Sequence, residues 1–399
     1  MKLLKHFPSL LARCFLSTSV RRKMIEFMPS KPSTDALRIF AAGISSRRPR
    51  VFLPLLLLVL FSSQSAESQQ ELRFGVLGLF HPRTLSLEQE GGQVVSVAAN
   101  GTTATSALVI NGEPNHGRIL FHAEGSRVFV GNRSAARWTA MARDGSAVPF
   151  RLVVPGRFQR VYRGRLTLEA RKDELIAVVA MENETAVASV VAAEMDENAP
   201  IEALKAQAVA TRSYLAGGPR HLDFDFCDTT HCQFLKSPPT VGSRVTNAVL
   251  ATKGMVIAYR SKPLAAMYSS QCGGHTRSLN DVGMSPGDGY PYYSVTCVWC
   301  QKHPITWKSR METTPPNPGN ERMRVVEARQ WGWGTIPGND FSAARDDSAD
   351  GSGWKLKGHS VGHGVGMCQH GAVGMAIAGA QFQQIILHYY PNTVLISSP

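Results

Sequence analysis

The segment His221-x5-Cys227-Asp-Thr-Thr-His231-Cys232 sets the strongest constraint on how this chain folds, because it gathers two thiols and two imidazoles in one short stretch. Two thiolates and two imidazoles are a ligand set that Zn²⁺ prefers, and four protein ligands make a closed tetrahedral site. His231 beside Cys232 adds two soft donors in one turn, which favours a metal. The competing reading is a Cys227–Cys232 disulfide with bystander histidines. With four protein ligands no water reaches the ion, so such a centre is structural rather than catalytic.

The choice depends on the compartment. Arg47, Arg48 and Arg50 precede the apolar run Val51–Phe61, and Ser62-Ser63-Gln64-Ser65-Ala66 follows. This is the basic region, short apolar core and small-residue cleavage site of a secretion signal. The apolar run falls short of the about 20 residues that span a bilayer. An uncleaved anchor is the alternative, and membrane contact is expected only through this leader, residues 1–66. The stretch before Arg47 is long for a signal, so Met24 and Met28 are alternative starts. The formal charge of +13 resolves the same way: the leader holds 11 of the 43 Lys/Arg but only 2 of the 30 Asp/Glu, hence +9 of the total. Nucleic acid is therefore not an expected partner.

Export places the remaining cysteines where disulfides form. Cys297-x2-Cys300 lacks the βαβ surroundings of a redox motif. With Cys272 and Cys368 it makes four cysteines outside the His/Cys segment, enough for two structural disulfides in any of three pairings.

The pattern along the chain indicates an α+β fold. Residues 71–180 carry short β-branched runs between Gly, Asn and Pro and read as a β-rich region. Helical character begins near Thr185, and 181–396 reads as a mixed α/β domain. Helices are expected at Val187–Glu194, Ile201–Leu215, His370–Ala378 and Gln381–Tyr390, while 220–300 reads as strands and loops and 309–320 as a connecting loop or insertion. Leu204, Ala208, Thr211 and Leu215 mark a buried face of the second helix, and Lys205 and Arg212 share another.

Three further motifs carry chemistry. Glu194 ends an apolar helical stretch, where burial would raise its pKa and let it hold a proton near neutrality. Lys205 and Arg212 suit polar or anionic groups of a substrate, although nearby cations would lower that pKa. Tyr268-Ser-Ser-Gln-Cys-Gly-Gly-His-Thr276 reads as backbone approaching a ligand, or as a tight turn. In Gly358-His-Ser-Val-Gly-His-Gly-Val-Gly-Met-Cys-Gln-His-Gly371, His359 and His363 stand at i, i+4, but the glycines argue against a helix. A substrate-lining loop leading into a helix fits better.

In this order the motifs resemble the stage II sporulation protein D (SpoIID/LytB) family. Val191–Met195 and Ala199–Tyr214 match its V-x-x-E-M and A-P-x-E-A-L-K-A-Q-A-V-A-x-R-[ST]-Y segments. Cys227–Gln233, Tyr268–Thr276, Gly362–Ala372 and His388–Thr393 match the rest. The resemblance covers roughly Val161–Leu395. It implies an exported lytic transglycosylase that cuts the MurNAc-GlcNAc bond of peptide-stripped peptidoglycan strands and leaves 1,6-anhydroMurNAc ends. Glu194 would be the catalytic acid and then base. Lys205, Arg212, Tyr268, His363 and Gln369 would bind substrate. His221, Cys227, His231 and Cys232 would hold structural zinc. Where many members have Pro after E-M, this chain has Asp196, whose charge would raise the Glu194 pKa further or whose presence would alter how the two helices join.

A single carboxylate suits this chemistry. Hydrolytic glycosidases use two, whereas ring closure by the sugar's own C6 hydroxyl needs no water. The alternatives are a non-catalytic glycan-binding enhancer of a cell-wall amidase, and a zinc hydrolase built on His359 and His363.

Overall fold

The stretch Val148–Val154 alternates buried and half-buried residues without a break, with Val148, Phe150, Leu152 and Val154 inside. That two-residue period makes a strand with one face on a core. The same logic repeats through residues 71–182, whose eleven described strands form, with the short strand Phe226–Cys227, a twelve-stranded sheet. The computed structural model describes residues 71–90, 95–99, 108–110, 118–142, 147–229, 231–282, 289–311, 336–338, 340–346 and 353–397. The leader with its apolar run, and 312–320 of the expected loop, lie outside the described residues. Ser309–Met311 complete a strand, Trp307–Met311. The described residues belong to one compact unit, and none of their helices is long and apolar enough to cross a membrane.

The long strand Phe158–Arg171 is the corner of the sheet. Its first half pairs with Val148–Val154, and its second half with Glu174–Glu182 on one side and Arg137–Ala142 on the other. The change of partners falls at Gly164. There φ is 157°, and an added Cβ would lie 2.1 Å from the Ala180 carbonyl oxygen. Only glycine lets the backbones approach this closely.

Helices begin where the sheet ends. Among the described residues they are α1 (Asn183–Glu194), α2 (Ile201–Ala216), α3 (Arg244–Ala251), α4 (Val298–Lys302), α5 (Gln369–Ile377) and α6 (Phe382–Tyr389). The mixture of sheet and segregated helices is the expected α+β class. Four helices fall where the sequence places them, within a few residues. The helix α3 lies in a stretch read as strands and loops. Its β-branched, eight-residue run resembles a strand, and the discriminating signal is Ser243, whose hydroxyl accepts from the Thr246 N–H and caps it. The five-residue α4 is too short for periodicity to show.

Two cores meet at α2. Ala203, Leu204, Ala208, Tyr214 and Leu215 join the core shared with the large sheet and α1. Ala206, Val209 and Ala210 join a second core that includes Ile257, Tyr290 and residues of α5 and α6. The helix is thus buried on nearly all sides, not along the single face its period suggested.

Gly164→Ala should destabilise the protein by about 1–3 kcal/mol, the cost of overpacking a close backbone contact. Denaturant unfolding measures this, and an unchanged midpoint would contradict the corner assignment.

Candidate functional site

Glu194 is the last residue of α1. Ala186 through Ala192 carry the helix through the core, and the chain reaches the surface at Asp196-Glu197-Asn198. The carboxyl is half-buried on this exit. Burial pushes its pKa above the ordinary value, and a hydrogen bond from Gln369 opposes the shift. The negative end of the α1 macrodipole acts in the same direction as burial.

Gln369 opens α5 and is itself buried. Its Nε2 donates to Glu194 Oε2 at 3.1 Å and to Gln207 Oε1 at 3.3 Å. Gln207 Nε2 in turn donates to Thr211 Oγ1 at 3.2 Å. Tyr268 donates its hydroxyl to Gln233 Oε1, within electrostatic reach of Thr211 and Glu194. Burial, and then the Glu194 charge, raise Tyr268 well above the usual phenol range. Glu194, Gln369, Gln207, Thr211, Tyr268 and Gln233 therefore form one polar seam through an apolar interior. Gln207, Thr211 and Gln233 were not assigned to the site from sequence, although Thr211 was placed on the buried face of its helix. The available signal was the polar i, i+4 pair 207/211 on an otherwise apolar helix.

The Gly-rich loop behaves as its glycines require. Gly362, Gly364 and Gly366 have φ of 88°, 74° and 73°, so no helix forms and the His359/His363 spacing does not create a shared face. At Gly366 a Cβ would also lie 1.8 Å from the Met267 carbonyl oxygen. This close approach seats the strand Met367–Cys368 parallel to Tyr268–Ser269 and delivers Gln369 to Glu194. His363 accepts from the Val365 N–H at Nδ1, 3.0 Å away, which leaves the proton of the neutral ring on Nε2.

The two cations expected at the substrate are paired with carboxylates, Arg212 in the interior and Lys205 near the surface. Arg212 is 1% exposed. Its guanidinium grips Glu184 through Nε at 2.9 Å and Nη2 at 2.6 Å and donates to the Met255 carbonyl at 3.0 Å. It joins α2 to the first turn of α1 rather than facing a cleft. Lys205 Nζ pairs with Glu202 at 2.7 Å and sits over the Phe382 ring. Asp196 takes the second of its two expected roles, at the junction of the helices. It is exposed, and its carboxylate accepts from the Asn198 N–H at 2.8 Å. It caps the turn between α1 and α2, and the upward push on Glu194 comes from burial instead. Beside this turn opens a cavity of ≈ 360 Å³ whose lining includes Ala192, Glu197, Lys236 and Ser237.

His221, Cys227, His231 and Cys232 converge, with one donor atom from each within 4.8 Å of the others. The separations include 3.2 Å for His221 Nε2–Cys232 Sγ, 3.4 Å for His231 Nδ1–Cys232 Sγ and 3.7 Å for His231 Nδ1–Cys227 Sγ. Bonds of about 2.0–2.3 Å to one Zn²⁺ put tetrahedral ligands about 3.3–3.8 Å apart, so the four donors fit that ion. Both cysteines are free thiols, which runs against the disulfide reading. Interaction with Cys232, more than with Thr229 or the histidines, pulls the Cys227 thiol down and favours the thiolate that metals bind.

The large sheet holds this loop. Phe226–Cys227 adds a short parallel strand to Glu71–Val76. Asp228 is buried, with carboxylate oxygens 3.2 Å from the Leu77 N–H, 3.1 Å from Arg160 Nη1 and 3.2 Å from the Tyr162 hydroxyl. The loop then delivers Gln233 to Tyr268.

A second group, Cys272, Cys297, Cys300 and Cys368, meets in the other core. These thiols, expected as two disulfide pairs, are all free. Among the described residues these two clusters are the groups of three or more possible ligands close enough to share an ion, and neither includes His359 or His363.

Arg212→Ala should destabilise the fold by about 3–5 kcal/mol, because it strands Glu184 in a partly buried site. A purely substrate-binding arginine would leave stability unchanged. Glu194→Gln should have the opposite effect near neutral pH. The raised carboxyl favours the native state while protonated, and this stability is lost as pH rises through the folded pKa. The variant's advantage should therefore vanish below the ordinary glutamate pKa of about 4.3. Thermal unfolding of both proteins at several pH values checks this.

The family model described as Stage II sporulation protein (SpoIID) matches residues 171–259. Stage II sporulation protein D of Bacillus amyloliquefaciens is 32% identical over 251 residues, covering 51% of this chain and 71% of that protein. An uncharacterised protein of Brachyspira hyodysenteriae is 30% identical over 272 residues, covering 59% and 72%. The amidase enhancer of Bacillus subtilis is 25% identical over 283 residues, covering 51% of this chain but 39% of the relative.

Proposed function

This chain belongs to the stage II sporulation protein D family, and from that premise we propose that it is an exported lytic transglycosylase acting on peptidoglycan glycan strands of the bacterial cell wall. The observation that carries the reading is Glu194: a carboxyl whose pKa burial raises, held by Gln369 at the exit of a buried helix. The leader supplies the export signal.

In this mechanism protonated Glu194 donates its proton to the glycosidic oxygen between MurNAc and GlcNAc. The C1–O bond breaks and the GlcNAc hydroxyl leaves. The Glu194 carboxylate then takes the proton of the MurNAc C6 hydroxyl as O6 bonds to C1, closing the 1,6-anhydro ring. The carboxyl ends as it began and no water is consumed. Gln369 fixes the carboxyl's orientation, and its hydrogen bond moderates the pKa so that the group can both give and take a proton. His363 is assigned to the sugar, while Tyr268, buried with its hydroxyl on Gln233, positions the seam behind Glu194. With Arg212 committed to Glu184, Lys236 and Ser237 in the cavity beside the turn are the better candidates for N-acetyl or lactyl groups.

His221, Cys227, His231 and Cys232 are assigned to one structural Zn²⁺, whose bonds would fix the loop that presents Gln233. A second reading makes the chain a glycan-binding enhancer of a cell-wall amidase. It is favoured by the amidase-enhancer relative and by the pairing of Lys205 and Arg212 with carboxylates.

Digestion of amidase-treated sacculi separates the two. Wild type should release anhydromuropeptide sugars, and Glu194→Gln should lower the rate about 10²–10⁴-fold, the usual worth of a general acid–base. Activity should fall as pH rises through the raised Glu194 pKa, because the acid form starts the reaction. No anhydro sugar from wild type would leave the enhancer reading, and equal activity in the variant would remove Glu194 from the mechanism. Cys227→Ser should remove about one equivalent of zinc per chain, read by elemental analysis, and unchanged content would contradict that assignment.

A further inference from the structure

Cys272, Cys297, Cys300 and Cys368 come from three separate segments and are all buried. Cys272 follows the strand Tyr268–Ser269 and precedes Gly273-Gly274. Cys297 and Cys300 open α4, with the Cys297 N–H donating to the Gly274 carbonyl at 2.8 Å. Cys368 ends the strand Met367–Cys368 and caps α5. Their four Sγ atoms all lie within 4.8 Å of one another.

We propose that these four cysteines form a second structural zinc centre, which fixes the strand pair carrying Tyr268 and Gln369 next to Glu194. It stands independently of the transglycosylase reading and of the His/Cys site. Two disulfides would sort four sulfurs into two pairs at about 2.05 Å. Here all four converge on one point, and Cys300 Sγ–Cys368 Sγ is 3.6 Å. Four thiolates on one Zn²⁺ at about 2.3 Å lie about 3.8 Å apart along the tetrahedron's edges. A Cys-x2-Cys pair joined by two distant cysteines is also a ligand arrangement of structural zinc sites.

The surroundings fit thiolates. The Gly371 N–H donates to Cys368 Sγ at 3.3 Å, and the Tyr389 hydroxyl lies 3.4 Å from Cys297 Sγ. Such outer hydrogen bonds stabilise the ligands of a metal. Gly371 leaves the room that this needs, since a Cβ there would meet Tyr389 Oη at 2.0 Å and Cys297 Sγ at 2.5 Å. With four thiolates the ion has no open position, so the centre holds structure and binds no substrate. Gln369 follows Cys368 directly, so the ion would restrain the residue that orients the Glu194 carboxyl.

The test is elemental analysis of the full-length protein with thiol alkylation under denaturing, non-reducing conditions. Wild type should hold about two zinc ions per chain, and Cys300→Ser and Cys227→Ser about one each. All four thiols of the second cluster should alkylate without reductant once the metal is chelated. Loss of zinc in Cys300→Ser but not in Cys227→Ser would sink the His/Cys site and keep this one. Zinc removed entirely by Cys227→Ser, with the four cysteines alkylating only after reduction, would establish two disulfides and overturn the proposal. Iron in place of zinc at these thiols would overturn the assignment of the ion. Should Cys300→Ser fail to fold, cobalt substitution of wild type decides the matter. Absorption from a four-sulfur site beside a two-sulfur, two-nitrogen site is expected, and the latter alone contradicts the proposal.

Discussion

The rest of the structure depends on the burial of α2 between two cores. From Ala203 to Leu215 only Lys205 keeps appreciable contact with solvent. Alanines at 203, 206, 208 and 210 let the large sheet with α1 pack on one side, and α5 and α6 on the other. A helix so placed must satisfy every polar side chain internally, because an unpaired buried polar group costs about 1–3 kcal/mol. Each one is matched. Gln207 bonds Thr211 and Gln369, Arg212 grips Glu184, and Ser213 bridges the Val209 carbonyl and the Ile257 N–H. The partners lie on α1, α5 and the strand Met255–Tyr259, so polar satisfaction of one helix aligns three other elements. Glu194 and Gln369 meet as a consequence of that alignment.

The metal-capable clusters flank this helix. The His/Cys loop is tied to the large sheet through Asp228 and reaches the seam through Gln233. The four-cysteine cluster lies in the second core and reaches it through Gln369. Each would brace one side of the same seam without touching the reacting bond.

Much of this was legible in the sequence. The β-rich start, four of the helices, the Glu194 position and the convergence of His221, Cys227, His231 and Cys232 follow from period, capping and ligand chemistry. What escaped has identifiable reasons. A charged residue on a helix does not announce whether it faces solvent or a partner far along the chain, so Arg212 read as a substrate ligand until Glu184 stood beside it. Asp196 read as a like-charge neighbour because sequence proximity says nothing of direction, and its carboxylate turns to Asn198. The short α3 and α4 lack enough turns to establish a period. Cysteines 272 and 368 are too far apart in sequence for spacing to reveal that they share one point with the Cys297-x2-Cys300 pair.

The central claim is that burial raises the Glu194 pKa while Gln369 restrains the shift. The direct measurement is an NMR pH titration of the labelled Glu194 carboxyl in wild type and in Gln369→Leu. The account predicts a midpoint above the ordinary glutamate value of about 4.3, moving higher when the Gln369 hydrogen bond is removed. A midpoint at or below that value in wild type would contradict it.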